Sequence, residues 1–362
     1  MFKFGFESYN IEMRKIYCVL SVFMVVAVVY SCHPDKKSIP YNPTPYTLQY
    51  PSFVDDAFGT PNLPADNQLT KEGVALGRKL FFEKMLSGDG SMSCARCHEP
   101  ANAFDDTARF SHGITGALGS RNAMAIVNMP WATTFFWDGR SSTLEGQAHD
   151  PVSNPVEMNS KWTDVVNKLQ SNGDYPALFY SAFGTSVIDS TLVTKAIAQF
   201  ERTLVSFNSA YDKYAFLRTG TFTSRQANGY ELFQIFKCTK CHTYGLFTDN
   251  TLRNNGLDLV PADSGLAKFT HMPGDYGKFK VPTLRNIAMT APYMHDGRFK
   301  TLAEVVSFYS KSVRQGSPNL DSNMQSFTAA HAMSTQQQAD IVAFLETLTD
   351  STFLSNPEFR RL

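Results

Sequence analysis

Apolar residues recur at helical spacing in several separated stretches of the chain. Val74, Leu76, Leu80 and Phe81 predict a helix that Thr70 can cap, and Ser87-Gly88-Asp89-Gly90-Ser91 breaks it. From Glu99 to Asn159 the chain is rich in Gly, Asn and Pro and its helical periodicity is poor, which predicts irregular backbone. One-sided apolar helices resume at Trp162-Val165-Val166-Leu169 and Leu192-Ile197-Phe200-Leu204. Another is expected from Ser224 through Tyr230, Leu232 and Phe233. Thr301-Leu302-Ala303-Glu304 and Ser334-Thr335-Gln336-Gln337 have the form of capping boxes. They open helices carrying Leu302, Val305, Val306 and Tyr309, then Ile341, Phe344, Leu345 and Leu348. The fold class is therefore mainly α, with long loops that need something besides their own packing to close around.

Two motifs supply that something. Cys94-Ala95-Arg96-Cys97-His98 and Cys238-Thr239-Lys240-Cys241-His242 each follow a predicted helix. Two thiols at this spacing bond the two vinyl groups of a c-type haem, and the adjacent histidine reaches the iron. A zinc site would call for four converging soft ligands, and neither motif has a third cysteine nearby. Two covalent c-type haems follow.

The halves share more than the haem motif. Trp137-Asp138-Gly139-Arg140 precedes Thr143-Leu144, and His295-Asp296-Gly297-Arg298 precedes Thr301-Leu302. Arg121-Asn122 and Arg285-Asn286 lie before these blocks. Such a repeat indicates a duplicated cytochrome c domain that has diverged, with domains expected at 69–220 and 221–350 and a tail at 351–362. Fourteen residues beyond His295 stands Tyr309, and fourteen beyond Trp137 stands Pro151. A tyrosine can offer an iron a sixth ligand and a proline side chain cannot, so the duplication predicts one closed, electron-storing haem and one open, reactive haem. Spacing alone favours Tyr309 as a core aromatic over a ligand.

At 362 residues the chain is long enough for two domains with cores of their own. Its 33 basic and 33 acidic residues cancel and no basic run occurs, so nothing points to nucleic acid. Met13-Arg14-Lys15 and the apolar run from Ile16 to Tyr30 predict a signal peptide over 1–32, ending in a lipobox at Val29-Tyr30-Ser31-Cys32. A plain membrane anchor is the alternative. Of six cysteines, four go to haem, Cys18 to the removed segment and Cys32 to a lipid, leaving none for a disulfide. The proline-rich stretch from Pro34 to Pro64 predicts a tether over 33–68. The expected location is the bacterial periplasm, lipid-anchored at Cys32 to the outer membrane.

In Cys94 to Pro100, Arg121-Asn122, Phe136 to Arg140, Gln147, Pro151 to Met158, the second haem motif and Val281 to Tyr309, the sequence resembles the bacterial di-haem cytochrome c peroxidase family, including its MauG branch. The resemblance spans about Leu69 to Leu348. It implies a peroxidatic N-terminal haem and a C-terminal haem that receives electrons. Trp137 matches the tryptophan between the haems, Gln147 and Glu157 the distal polar pair, and Asn122, Thr290 and Pro292 the ligands of a calcium ion between them. Glu157 suits a single carboxylate acting as both base and acid on peroxide, and Gln147 a neutral group that holds it. Because Pro151 and Pro155 intervene, the pair is expected on a loop.

The resemblance further implies reduction of hydrogen peroxide to water, with electrons from a small cytochrome c or cupredoxin passing through the His242/Tyr309 haem and Trp137 to the haem on His98. A homodimer is an accompanying possibility. Tyr309 resembles the MauG branch, where the cytochrome c peroxidase branch places methionine. Phe236 stands where MauG has tryptophan and is a poor radical relay. His112 falls where peroxidases carry a removable iron ligand; a surface-loop histidine is the alternative. Met272, Met289, Met294 and Met324 rival Tyr309 as ligands. Oxidation of a protein or organic substrate through a stored oxidised state is the second reading, and a non-enzymatic electron carrier or redox sensor the third.

Overall fold

The computed structural model describes residues 40–361. The expected signal peptide, the lipidation site Cys32 and the first part of the expected tether lie outside the described residues. Helix α1 (Phe53–Phe58) falls inside that tether and buries Val54 completely against Trp131 and Phe207. Backbone bonds from Tyr46 to Leu69 (3.0 Å) and from Lys71 to Thr44 (2.8 Å) fix the same segment. From Asn42 onward the described chain thus packs as one compact body, and the tether reading is corrected there. Tyr50, Phe53, Val54 and Phe58 form an apolar anchor among the prolines.

Helix α2 (Lys71–Phe81) begins where Thr70 accepts a hydrogen bond from the Gly73 amide. Next come α3 (Leu144–Ser153), α4 (Trp162–Ser171), α5 (Tyr175–Phe183) and α6 (Ser190–Arg202). The second half holds α7 (Ala210–Ala215), α8 (Ser224–Ile235), α9 (Ala267–Thr270), α10 (Leu302–Lys311) and α11 (Thr335–Glu346). The described strands are a two-residue antiparallel pair, β1 (Leu252–Arg253) with β2 (Phe279–Lys280). Both expected capping boxes form, at Thr301/Glu304 and Ser334/Gln337.

Helix α3 corrects the irregular reading of 99–159. Thr143 caps it as Thr301 caps α10, so the repeat carried the signal that periodicity lacked. Pro151 sits inside α3, where it leaves the Gln147 carbonyl without its helical donor. Gln147 is therefore on a helix and Glu157 on the loop beyond it, rather than both on a loop.

Two large apolar cores form, beside smaller clusters around Trp131 and Phe135. The first gathers residues from Leu76 to Leu204, and the second residues from Tyr211 to Leu348. The expected tail instead forms α12 (Ser351–Ser355) and a 3₁₀ turn, Pro357–Phe359, whose Phe353 and Phe359 enter the first core. Tyr211 packs in the second core although it precedes residue 220, because Phe247 and Phe344 meet its ring.

The helix before each haem motif meets a later helix through a glycine. A Cβ on Gly77 would lie 1.9 Å from the Ala196 carbonyl oxygen of α6, and one on Gly229 1.9 Å from that of Asp340 on α11. Neither backbone can yield without separating the helices. Gly229→Ala is expected to cost ~1–3 kcal/mol of stability, checked by urea unfolding of the holo-protein.

Candidate di-haem site

Each haem motif folds as a 3₁₀ turn, Cys94–Arg96 and Cys238–Lys240, that closes when the histidine amide donates to the first cysteine carbonyl (3.0 and 2.9 Å). Beyond each turn the chain reverses through a phenylalanine with positive φ, Phe104 (60°) or Phe247 (53°). That reversal aims a carbonyl back at the ligand. His98 Nδ1 donates to the Phe104 oxygen at 2.9 Å, and His242 Nδ1 to the Phe247 oxygen at 3.0 Å. A carbonyl only accepts, so Nδ1 carries the proton and Nε2 keeps a free lone pair for a metal. Burial lowers the pKa of both imidazoles and keeps them neutral. The same geometry in both halves is the duplication expressed in three dimensions.

Both histidines open into one continuous cavity of about 890 Å³, lined from both halves. Cys97, Cys238 and Cys241 line it, and none of the four motif cysteines is in a disulfide. Lys280 supplies an independent test of what the cavity takes. Among the described residues its buried ammonium donates to the Thr134 carbonyl (2.6 Å), lies over the Phe135 ring (5.7 Å) and makes no salt bridge, and burial pulls its pKa down to about 8. A buried cation facing a cavity without a counter-charge suits an anionic cofactor edge, such as the carboxylates of a haem. The donor set, the paired thiols and this cation all fit haem.

Trp137 lies where the halves meet. Its Nε1 donates to the Asn122 carbonyl (2.9 Å), its carbonyl accepts from the Lys280 amide (2.7 Å), and its ring stands edge-on to His295, its own repeat counterpart, at 6.5 Å. His295 in turn stacks on Phe279 at 3.8 Å. Arg121 braces the Trp137 loop through Asp138 (2.6 Å) and Asp263 (2.7 and 2.9 Å).

Gln147 and Glu157 line the same cavity. Glu157 is half-buried, its Oε1 accepts from Asn154 Nδ2 (2.7 Å), and its charge reaches Cys94 and Cys97. Burial pushes its pKa up, against the Asn154 hydrogen bond and the Arg140 charge, which lower it. The hairpin carrying His112 docks on this loop: the Ile114 amide donates to the Glu157 carbonyl (3.0 Å), and a Cβ on Gly113 would lie 1.9 Å from the Val156 oxygen. His112 itself is exposed at the cavity rim.

In the second half, Tyr309 on α10 lines the cavity as Pro151 does on α3. Asn255 Nδ2 donates to its hydroxyl (3.0 Å) and also reaches Met294 Sδ (3.7 Å). Burial pushes the Tyr309 phenol up to about 12. Among the rival methionines, Met272 is exposed, Met289 packs against the first core, and Met294 and Met324 line the cavity. Asn122, Thr290 and Pro292 also line it. The Asn122 amide nitrogen donates to the Ala108 and Arg109 carbonyls (3.1 and 3.3 Å), leaving its side-chain oxygen free among the described residues.

Sequence reasoning missed Lys280 and Glu201. Glu201 on α6 is fully buried, its Oε2 has no hydrogen-bond partner among the described residues, and burial raises its pKa to about 8. Between about 4.5 and about 8 the native protein therefore holds a proton that the unfolded chain releases. Stability contributed by that proton is present below this window and is lost as pH rises through it, with a limiting slope of about 1.4 kcal/mol per pH unit. Glu201→Gln is expected to flatten the decline, measured as unfolding free energy across that pH range.

The chain is similar to known proteins. Residues 71–219 match the family described as di-haem cytochrome c peroxidase. The methylamine utilization protein MauG of Methylorubrum extorquens is 38% identical over 295 residues, covering 79% of this chain and 80% of that protein. Cytochrome c551 peroxidase of Nitrosomonas europaea is 32% identical over 289 residues, covering 79% of this chain and 81% of that protein. The crystal structure of a MauG-like protein associated with microbial copper homeostasis superposes with a TM-score of 0.79 at 32% identity, over 87% of this chain and 99% of that one. With two c-type haem motifs opening into one cavity and relatives matched over most of their length, the chain belongs to the di-haem cytochrome c peroxidase family.

Proposed function

We propose that the protein reduces hydrogen peroxide to two waters, consuming two electrons from a small cytochrome c or cupredoxin and two protons. The observation that carries this is Glu157, a half-buried carboxylate with raised proton affinity beside the first haem turn. Haems held by Cys94, Cys97 and His98 and by Cys238, Cys241 and His242 supply the iron that binds peroxide and the redox capacity the chain lacks. Glu157 takes the proton of the near oxygen and returns it to the departing one. Gln147, neutral and on α3, orients peroxide without adding charge. Trp137 carries electrons between the halves, because an indole gives up an electron more readily than aliphatic packing does. Steady-state peroxide turnover with reduced cytochrome c tests the reading; a rate no higher than that of free haem overturns it.

The placement of Tyr309 favours a second reading, oxidation of a protein or organic substrate from a stored oxidised state. In both readings Tyr309 would help hold the iron of the second haem, with Met294 its rival on the same Asn255. An anionic oxygen there stabilises ferric iron, and axial identity moves haem potentials over ~0.8 V. Low-temperature EPR of the ferric protein tests the ligation: a high-spin signal at rest means an open first haem and an unbound His112, and two low-spin signals mean that His112 binds. Asn122 Oδ1 with the Thr290 and Pro292 carbonyls suits a hard cation such as calcium, tested by metal analysis before and after chelation. Export to the periplasm and lipidation at Cys32 complete the proposal, with a homodimer as the candidate assembly, tested by light scattering. Cys32→Ala is expected to move the protein from the membrane to the soluble fraction; unchanged sedimentation with membranes removes the anchor.

A further inference from the structure

The second half contains a run of tyrosine rings that none of these roles uses. It starts with Tyr244, two residues past His242 and within electrostatic reach of the Cys238 sulfur. The Tyr244 ring lies 5.1 Å from that of Tyr230, centroid to centroid, and Tyr230 lies 6.2 Å from Tyr214, edge to face at 79°. Tyr214 stacks on Phe222 at 4.0 Å and is partly exposed. Tyr211 is buried alongside, 6.1 Å from Tyr230 and 6.4 Å from Tyr244. The Tyr244 hydroxyl is buried and interacts with the Tyr230 hydroxyl, so these two phenols are coupled through their oxygens as well as through their rings.

A phenol loses one electron far more readily than phenylalanine or an aliphatic side chain, and rings in contact reduce each electron step to a van der Waals gap. Phe236, in the same half, offers no such step. The exposed Arg218 lies within electrostatic reach of Tyr230 and favours anionic donors, phenolates among them.

We propose that Tyr244, Tyr230 and Tyr214 relay oxidising equivalents from the second haem site to a surface oxidation site at Tyr214, whose substrate class is phenolic one-electron donors. The proposal rests on the peroxidase reading, which supplies the oxidant. Each peroxide takes two electrons and two protons and leaves as two waters. Two phenol molecules each give one electron and one proton and leave as phenoxyl radicals. Each tyrosine passes an electron inward, receives one from outside, and ends unchanged.

The test treats holo-protein with one equivalent of hydrogen peroxide without donor, followed by freeze-quench EPR and peptide mass spectrometry, and separately measures guaiacol oxidation. Wild type is expected to give a tyrosyl radical and dityrosine at Tyr214. Y214F and Y244F are expected to lose the Tyr214 product and to oxidise guaiacol more slowly. Both variants keep the ring and its contacts, and an unfolding midpoint matching wild type verifies the fold. A Y244F protein that still forms the Tyr214 product at the wild-type yield overturns the relay. Peroxide consumption by wild type without tyrosine oxidation overturns the relay alone. No peroxide consumption above free haem overturns the peroxidase reading and the relay with it.

Discussion

Glu157→Gln lowers peroxide turnover by roughly 10²–10⁴-fold, the range over which one positioned acid–base group acts. Glutamine keeps the side chain's shape and can still meet Asn154 (2.7 Å in the native protein), so the loss isolates proton transfer from packing. The pH profile carries the second half of the prediction. Burial favours the protonated form of Glu157, and only the ionised form can take a proton from peroxide. Wild-type kcat/KM therefore rises with pH through the Glu157 pKa, while the glutamine variant lacks that limb. The neighbouring charges act in opposite directions, Arg140 favouring ionisation and Asp150 opposing it. Stopped-flow peroxide reaction across acidic to neutral pH checks both claims; an unchanged rate removes the acid–base role.

Asp212→Ala destabilises the second half by ~3–5 kcal/mol, because it leaves a buried guanidinium unpaired. Asp212 and Arg285 are both 0% exposed, joined by two hydrogen bonds of 2.7 and 2.8 Å. Arg285 also donates to the Gly245 carbonyl (2.7 Å) and lies over Phe207 at 4.7 Å. Gly245 and Phe247 belong to the reversal that aims a carbonyl at His242, so the ion pair braces the ligand's support as well as the fold. Guanidinium unfolding of the holo-protein measures the cost, and the His242-side EPR signal is expected to broaden with it. Asp212→Leu combined with Arg285→Met is expected to recover much of the loss, since replacing both charges removes the desolvation penalty. A double variant as unstable as the single one would mean that packing, rather than the stranded charge, sets the cost.

Local rules made much of this protein legible in one dimension. The spacing of Cys94, Cys97 and His98 and its repeat fix the haem chemistry, because a single turn must present both thiols and the ligand. Thr70, Thr301 and Ser334 mark helix starts, because each needs only its own side chain and an amide three residues on. Helix α3 was hidden, since Pro151 and a weak apolar stripe erase its periodicity while its cap and buried face preserve it.

What the tertiary structure decided depends on groups far apart in the chain. Phe353 and Phe359 return from the C-terminal end to the first core, and Val54 reaches back to Trp131, because apolar area is buried wherever a matching surface exists, without regard to sequence distance. Lys280 and Glu201 are ordinary surface residue types until the fold takes them out of water, and burial alone makes their proton affinities unusual. Tyr214, Tyr230 and Tyr244 are scattered in sequence and adjacent in space. The sequence by itself determined the cofactor class, its two attachment points and the duplication, since each is written in neighbouring residues. The common cavity, the Trp137 contact with His295 and the tyrosine path exist only once the two halves close on each other.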